Sequence, residues 1–559
     1  MASGSVASTN YGEFPVGVEY PPKADLRKDV HKSFPTIAPG AIDPASMIDG
    51  KPAIQAQVVL DALNEALISN DTKKLAGLFY AEQAFWKDIA ALTSHLRTFT
   101  KPDVIAAALV QLKAARQIEG TIKLARDPQF VVLSPETMFI DCRISFRTGS
   151  PALDCIGRML LFPLKPKADN SSALWKIWVL TTWAEKLLQH PEDEKLLLSP
   201  GRDLDDLETI ETDVFILGGG TAGLMTAARL KALGVDSIIA ERNSRVGDNW
   251  GQRYDSLKIH VPTSNCELPY AYYRKELQSP YLLTKYDVAE HTRQYAENFH
   301  LNVILSAKVQ STFYHTLEKT YTVTLSVGNE SRVKTIICKH LIQATGFGGG
   351  APYLPVIQDK DLYKGVIIHS TRDRYLALSQ AGFPVLDCSH PSVNIQHNLI
   401  ERGGGHYLDV GGTKLISEGK VAVRGNVEPI AYTNNGLRLS DGSELVADAV
   451  IWGTGFADAD NRLTAPQVLG GAVSQETSKD VLTPVEIGAR LDACWGVDAE
   501  GEVRGMAKRH LRMENYWIIG GTFQHQRWWS RHLAQQIKLA LEGSLPPAYR
   551  DTPKPDQEI

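Results

Sequence analysis

The 559-residue chain has no run of 18 apolar residues, no cysteines at CxxC spacing and no surplus of positive charge. The first absence argues against a membrane span, which needs about 20 consecutive apolar residues. The second leaves Cys142, Cys155, Cys266, Cys338, Cys388 and Cys494 scattered. That excludes an obvious zinc or iron–sulfur site and does not look like a disulfide framework, so a reducing cytoplasm fits best. The third, a formal net charge of −5, argues against nucleic acid as the main partner, because such binding is driven by clustered positive charge. The first 29 residues lack the apolar core of a secretory signal. No internal repeat has solenoid spacing. No local motif supports a Ser/His/Asp or Cys/His constellation, and no ligand cluster suggests a metal, so hydrolase and metal chemistry are not expected.

What is present is an ordinary globular composition, 43% hydrophobic and 22% charged, long enough for three or four units at about 150 residues each. Residues 1–52 are rich in Pro, Ser and Gly and read as an extended arm. In residues 53–200 a helical stretch, VVLDALNEALISNDTKKLAGLF, has apolar residues three and four apart. Short β-like runs follow it: QFVVL from Gln129, MFIDCRISF from Met138, GRMLLFPL from Gly157 and ALWKIWVLTTWAE from Ala173. Helices followed by a curled antiparallel sheet resemble an α+β cone of the SnoaL-like type. Such a cone implies either a ligand pocket or a module for dimerisation or packing, which leaves a homodimer open. The acidic stretch GRDLDDLETIETD reads as a solvated linker over residues 201–212.

At Asp213 the pattern sharpens to DVFILGGGTAGLMTAARLKALGVDSIIAERN. VFIL is a short buried strand, Gly218, Gly220 and Gly223 satisfy GxGxxG, and an apolar-faced helix runs to the stop at Gly234. A second strand, SIIA, ends at Glu241, 18 residues past Gly223. This order of strand, glycine loop, helix, strand and acid is the context of a dinucleotide-binding unit. Gly218 permits the tight turn and Gly220 lets the backbone approach a pyrophosphate. Gly223 lets the helix lie close to the strand, while the free N–H groups of the helix face the phosphates. Glu241 would accept hydrogen bonds from ribose hydroxyls and disfavours a 2′-phosphate, so this loop should not hold NADP.

The following segment, RNSRVGDNWGQRYDSLKIHVPTSNCELPY, resembles the flavin side of flavin-containing and YUCCA-like monooxygenases. It matches through the Gly247-x-x-Trp250 turn, the Arg253–Tyr254 pair, and Leu257, His260, Pro262 and Thr263. LIQATGF from Leu341 and DAVIWGTGF from Asp448 resemble the superfamily's two strand-to-turn ATG motifs. ENYWIIGGTFQHQRWWSRHLAQQIKLALEG resembles its C-terminal FAD contact, with the pair Gly520 and Gly521 before a helix. The resemblance implies an α/β, Rossmann-type FAD-binding domain in two parts, residues 213–368 and 448–545, with a tail at 546–559. It implies FAD contacts at Gly218, Gly220, Thr221, Ala222, Gly223, Glu241, Arg242, Asp248, Trp250, Arg253, His260, Thr345, Gly346, Gly455 and Gln524. The partners it implies are a small-molecule substrate, lipophilic or heteroatom-bearing, and molecular oxygen.

Two features depart from the family. YKGVIIHSTRDRY resembles the monooxygenase fingerprint through Tyr363, Gly365 and His369, but Asp373 stands where an aromatic belongs. The second glycine loop, which would grip NADPH, is missing. Only 85 residues separate His369 from Gly455, whereas one βαβ unit takes about 30 residues or more and a nicotinamide domain at least two such units. The glycines at 403–405 and 411–412 follow NIQHNLIER, which reads as helix, and are expected to turn into strands KVAVRG and LRLSDG. Residues 369–447 therefore read as a shortened nicotinamide half, and three readings follow. The chain is a monooxygenase that has lost a segment, a flavin oxidase that works without NADPH, or a non-catalytic binding scaffold. Asn265, in the turn after the His-x-Pro run, and His369 are the catalytic candidates. His369 also has a structural reading, as a coupling between the two dinucleotide domains. Gln524, His525 and Arg527 start the last helix, and Trp528 and Trp529 either pack or line a cavity.

Overall fold

The computed structural model describes residues 22–25, 33–164, 173–255, 257–328, 332–346, 357–359, 362, 366–369, 412–454, 461–471, 478–492, 496–504 and 508–554. The helical stretch near the start forms α1 (Lys51–Ser69) and α2 (Thr72–Ala76). Asn70 closes α1 in a left-handed conformation, and the Asp71 carboxylate accepts from Lys74 N–H at 2.8 Å to start α2. Strands β1 (Phe85–Ile89) and β2 (Leu96–Thr100), helix α3 (Pro102–Arg116), and strands β3 (Ile118–Leu124), β4 (Gln129–Ser134), β5 (Thr137–Gly149), β6 (Ala152–Leu164) and β7 (Leu174–Leu187) follow. They form one sheet ordered β2-β1-β7-β6-β5-β3, with β4 also on β5. Every pairing in it is antiparallel except β1 with β7. Alternate residues of β5 and β6, among them Ile140, Cys142, Ile144, Met159 and Leu161, are buried with Leu60 and Leu63 of α1 and Leu109 and Leu112 of α3. Their period of two is the strand signature that made these segments legible. Trp86 and Phe99 stack within this core at 5.0 Å.

Strand β8 (Thr209–Leu217) begins inside the stretch read as acidic linker. The segment just before it is fastened rather than loose: the buried Lys334 ammonium donates to the carbonyls of Leu204, Asp205 and Leu207 at 2.6, 3.0 and 2.7 Å. Helix α4 (Thr221–Ala232), strand β9 (Ser237–Ala240), the one-turn α5 (Asp248–Gly251), helix α6 (Lys285–Asn298) and strands β10 (Val303–Ile304), β11 (Ala307–His315), β12 (Thr320–Val327) and β13 (Arg332–Gln343) come next. A separate two-stranded parallel sheet pairs β14 (Val366–His369) with a strand just before residue 455, and helix α7 (Gly412–Ser417) lies between them in sequence. A three-stranded meander is built from β15 (Pro429–Thr433), β16 (Gly436–Leu439) and β17 (Glu444–Val446), and β18 (Ala449–Trp452) is the partner of β14. Of the two strands expected here, LRLSDG lies in β16 and its turn, but KVAVRG is irregular. The chain leaves α7 in a turn and the ladder starts only at Pro429.

The chain returns through α8 (Asn461–Val468), β19 (Val481–Leu482), α9 (Pro484–Ala489), β20 (Tyr516–Ile518) and α10 (Phe523–Leu541). Its main sheet contains a parallel run β10-β9-β8-β13-β20 and an antiparallel wing β13-β12-β11-β19. One edge of β13 serves both: Arg332–Cys338 pair with β12, and Leu341–Gln343 pair with β20. This is the layout of a Rossmann-type unit, with α4 packed on β8 and β9 and α10 lying alongside α4.

The N-terminal sheet is locked to the rest by charge. Arg97, fully buried, spreads its fork over both carboxylate oxygens of Glu500 (2.7–3.0 Å) and reaches Tyr549 O, Arg550 O and Thr552 Oγ1. Glu502 takes Lys87 and Thr98. Residues 546–552 thus form a strap across the β1–β2 hairpin. Breaking a buried ion pair by removing one partner costs about 3–5 kcal/mol. Arg97→Met should therefore lower unfolding stability by about 3 kcal/mol, and Arg97→Lys should not rescue it, because an ammonium lacks the planar fork; denaturant unfolding of the three proteins checks both. Nearby, Asp498 is buried and accepts from the Glu500 and Glu502 N–H groups, and burial pushes its carboxyl up to about 6. A carboxyl whose folded value lies above the unfolded value of about 3.9 holds its proton more tightly when folded. Its contribution to stability is complete below about pH 4 and lost as pH rises through 6. Asp498→Asn should remove this decline, which melting curves between pH 4 and 7 will read.

Candidate functional site

The carboxyl ends of β8, β13 and β20 meet at one edge of the parallel sheet, and the loops leaving β8 and β13 touch through main chain. Gly218 has φ +109°, and a Cβ there would lie 2.5 Å from Ala344 O in the ATG turn. Gly223, in the first turn of α4, would place a Cβ 2.1 Å from Gly218 O. Both positions exclude any other residue. Gly220 differs: its backbone is extended, and a Cβ would meet only Asn249 Nδ2 at 3.4 Å. Its missing side chain leaves an open cradle in front of α4. That helix has no side-chain cap, so the N–H groups of Thr221, Ala222 and Gly223 are available to an anion, and the positive end of the helix dipole favours one.

Glu241 is buried just past β9 and accepts backbone N–H groups at both oxygens, Gly219 at 2.8 Å and Asn243 at 2.9 Å. The acid expected to meet ribose hydroxyls thus also braces the glycine loop, and each oxygen keeps a second lone pair. Arg242 beside it is exposed. Gly247, at φ +87°, approaches the Ala289 carbonyl of α6 so closely that a Cβ would lie 2.3 Å from it. Asp248, buried, then starts α5 and pairs with Arg245 at 3.3 Å. Trp250 stacks on Phe523 at the start of α10 (5.6 Å, 20° between planes), and the Arg253 guanidinium lies 5.5 Å from its centroid. The Trp250 indole N–H is buried and has no acceptor among the described residues. An orphaned donor at the seam between the Gly247 turn and α10 is what a site for a polar ligand leaves when described alone.

The first turn of α10 closes the cleft. Thr522 caps it. Gln526, not Gln524, makes the connections: it accepts from Thr221 Oγ1 at 2.6 Å and donates to Gly521 O at 2.6 Å. Gln524 is exposed. Arg527 reaches the Ser264 and Glu267 carbonyls at 3.2 and 3.4 Å, tying the Thr263–Asn265 turn to α10. Asn265 is half-buried there, and its side-chain amide has no partner among the described residues. His260 is exposed. Thr345 accepts from Gln343 Nε2 at 3.2 Å, and Gly346 (φ +77°) follows it, exposed and with open space around it. His369 ends β14, in the other, two-stranded sheet. Gly455 lies outside the described residues, as do Tyr363, Gly365, Asp373 and the glycines at 403–405 and 411. Two contacts escaped the sequence. Asn249 borders the Gly220 cradle, and Gln526 sits one helical position pair beyond the residue that motif alignment singled out. No group of His, Cys, Asp and Glu among the described residues suits a metal ion, and no described helix is long and apolar enough to cross a membrane.

The cradle, the uncapped helix, the acid past β9 and the orphaned indole N–H fit a dinucleotide cofactor. Residues 211–249 match a family model described as FAD binding domain. Over 320 residues the chain is 24% identical to the indole-3-pyruvate monooxygenase YUCCA8 of Oryza sativa subsp. indica, which covers 43% of this chain and 75% of that protein. Over 164 residues it is 31% identical to the indole-3-pyruvate monooxygenase YUCCA6 of Arabidopsis thaliana, covering 29% and 38% respectively. It thus spans well under half of that second relative. A flavin-containing monooxygenase from Stenotrophomonas maltophilia overlays 59% of this chain and 99% of its own, at 18% identity and a TM-score of 0.40.

Two glycines separate fold from binding. Gly220→Ala should melt within about 0.5 kcal/mol of the parent as apoprotein yet bind FAD at least tenfold more weakly, whereas Gly223→Ala should lose stability outright because Gly218 O cannot retreat. Melting of the apoproteins and flavin titration check both. The chain is an FAD-dependent oxidoreductase similar to the flavin monooxygenases.

Proposed function

We propose that the protein is a monooxygenase that oxidises a small lipophilic or heteroatom-bearing metabolite with molecular oxygen, using FAD held between α4 and α10. The observation that carries this reading is the Gly220 cradle facing the uncapped first turn of α4. There the Thr221, Ala222 and Gly223 N–H groups would hold the pyrophosphate, and the free lone pairs of Glu241 would take the ribose hydroxyls. The Trp250 N–H, Thr345 and Gln526 would frame the remainder of the cofactor. Bound FAD supplies the redox chemistry, accepting two electrons and passing them to oxygen. The chain's own part is orientation and exclusion of water, with the Asn265 amide offered to polar atoms at the reacting face. His369, at the end of β14, keeps both of its readings, a catalytic residue or a coupling between the two dinucleotide domains.

The N-terminal unit, residues 53–200, is assigned to the SnoaL-like cone type. Support comes from its helices on one sheet face and from the single parallel pairing of β1 with β7 among antiparallel neighbours. Its apolar interior, filled by Trp86, Phe99 and their neighbours, favours a packing module over a ligand pocket. Cys142, Cys155, Cys266 and Cys338 are free and buried, which suits a reducing compartment such as the cytoplasm.

A second reading concerns the electron source, and one observation favours it. The alignment to the rice relative runs over 320 positions, while 43% of a 559-residue chain is about 240 residues. Some 80 positions of the relative thus have no counterpart in this chain, which leaves room for a shortened nicotinamide half. A flavin oxidase reduced by its own substrate is the alternative. Anaerobic titration decides between them. Bleaching of the flavin band by NADPH is expected for the monooxygenase, and bleaching only by an oxidisable substrate would establish the oxidase. A colourless protein that cannot be reconstituted with FAD would overturn both.

A further inference from the structure

Helix α10 has two sets of partners one turn apart. Its first turn belongs to the cofactor cleft, through Phe523 on Trp250, Gln526 on Thr221 and Gly521, and Arg527 on the Ser264 and Glu267 carbonyls. Its next two turns belong to the N-terminal domain. Trp528 meets Trp183 of β7 edge-on at 5.5 Å, Arg531 pairs with Glu185 at 2.8 Å, and Gln535 donates to the Glu185 carbonyl at 3.0 Å. Glu185 is the hub of this seam. One carboxylate oxygen accepts from Arg531 and the other from the Trp183 indole N–H at 2.9 Å, while its backbone carbonyl holds Gln535. Trp183 is fixed from a further direction by the Arg143 guanidinium, 5.0 Å from its ring.

We propose that Glu185, although it lies in the N-terminal domain, is a positioning residue for FAD that acts through α10. This rests on the reading that Gln526 and Arg527 frame the cofactor. An α-helix advances about 1.5 Å per residue, so Arg527 and Arg531 stand about 6 Å apart on one face of a stiff rod. A rotation or slide at Arg531 therefore appears undiminished at Gln526 and Arg527. A shift of a fraction of an ångström there breaks the 2.6 Å bond to Thr221, and with it the alignment of α10 against the glycine loop. The ion pair itself is partly exposed, at 26% for each side chain. Pairs this exposed contribute little to global stability, so Glu185 acts on helix position rather than on whether the protein folds. The packed seam also makes the N-terminal domain part of the flavin-binding unit, not a tethered module.

The test uses full-length protein stripped of FAD and titrated with it. Flavin fluorescence reads affinity, and the fine structure of the visible band reads the cofactor's surroundings. Each single swap, Glu185→Arg or Arg531→Glu, should raise the FAD Kd about tenfold and blur the band, with apoprotein melting little changed. The double swap should return Kd to within about threefold of the parent. Unchanged Kd and spectrum in the single swaps would overturn the proposal, as would weakened binding that the double swap fails to restore. If the swapped proteins do not fold, Glu185→Gln decides, with at least a threefold rise in Kd expected and none overturning it. A parent protein that takes up no FAD would remove the underlying reading of the cleft, an outcome distinct from a parent that binds FAD beside variants that bind it equally well.

Discussion

The arrangement depends on a backbone-to-backbone contact at the end of β8. Gly218 lies against Ala344 O, and Gly223 against Gly218 O, at separations where no Cβ fits. Because these three segments touch through main chain, α4 can start immediately after the strand and aim its N-terminus along the sheet edge. An uncapped helix end carries roughly half a positive charge, and here that end faces open space at Gly220 in place of a protein acceptor. Everything else at the site is arranged around this point. Glu241 holds the loop from below through Gly219, the ATG turn abuts it from the side, and α10 closes it from above through Gln526.

The parts of the site that sequence made legible are those whose chemistry is fixed by a few adjacent positions. Gly218, Gly220 and Gly223 are set by local geometry, and Glu241 lies at a distance that one helix and one short strand determine. The strands of the N-terminal sheet were legible because alternate residues face a core, as in β5 and β6. What sequence left out was long-range. Gln526 sits one pair of positions from Gln524, and only the rotation of α10 against α4 distinguishes them. Arg97 and Glu185 carry no motif. Their importance comes from partners more than 340 positions away, Arg531 for one and Glu500 for the other. The acidic stretch before β8 was legible as charge but not as structure. A buried lysine, Lys334, gathers its carbonyls and makes a fixed entry to the sheet out of what composition describes as a linker.

The two halves of the chain are joined by unlike seams. Around Trp183 and Trp528 the joint is apolar and aromatic, with Ile89 and Leu96 beneath it. Around Arg97 it is a set of charges in which Arg97 and Glu502 are buried and Glu500 and Lys87 keep part of their surface in water. Apolar area tolerates small slides, while a forked guanidinium fixed on carboxylate and carbonyl oxygens does not. The ionic seam thus sets the register of the two domains, and the aromatic one fills the space that this register leaves. The Glu185 contacts lie beside the apolar joint and give it direction.

The strap has a consequence for how the molecule is made. Arg97 ends buried against carbonyls of Tyr549 and Arg550, 452 and 453 positions further along the chain. At about 5–20 residues per second, roughly 20–90 s of ribosome time separates the guanidinium from those acceptors. During that interval the nascent amino-terminal sheet must stand with a charged face and an aromatic face uncovered. That exposure ends only once Tyr549 and Arg550 have been made and can reach Arg97.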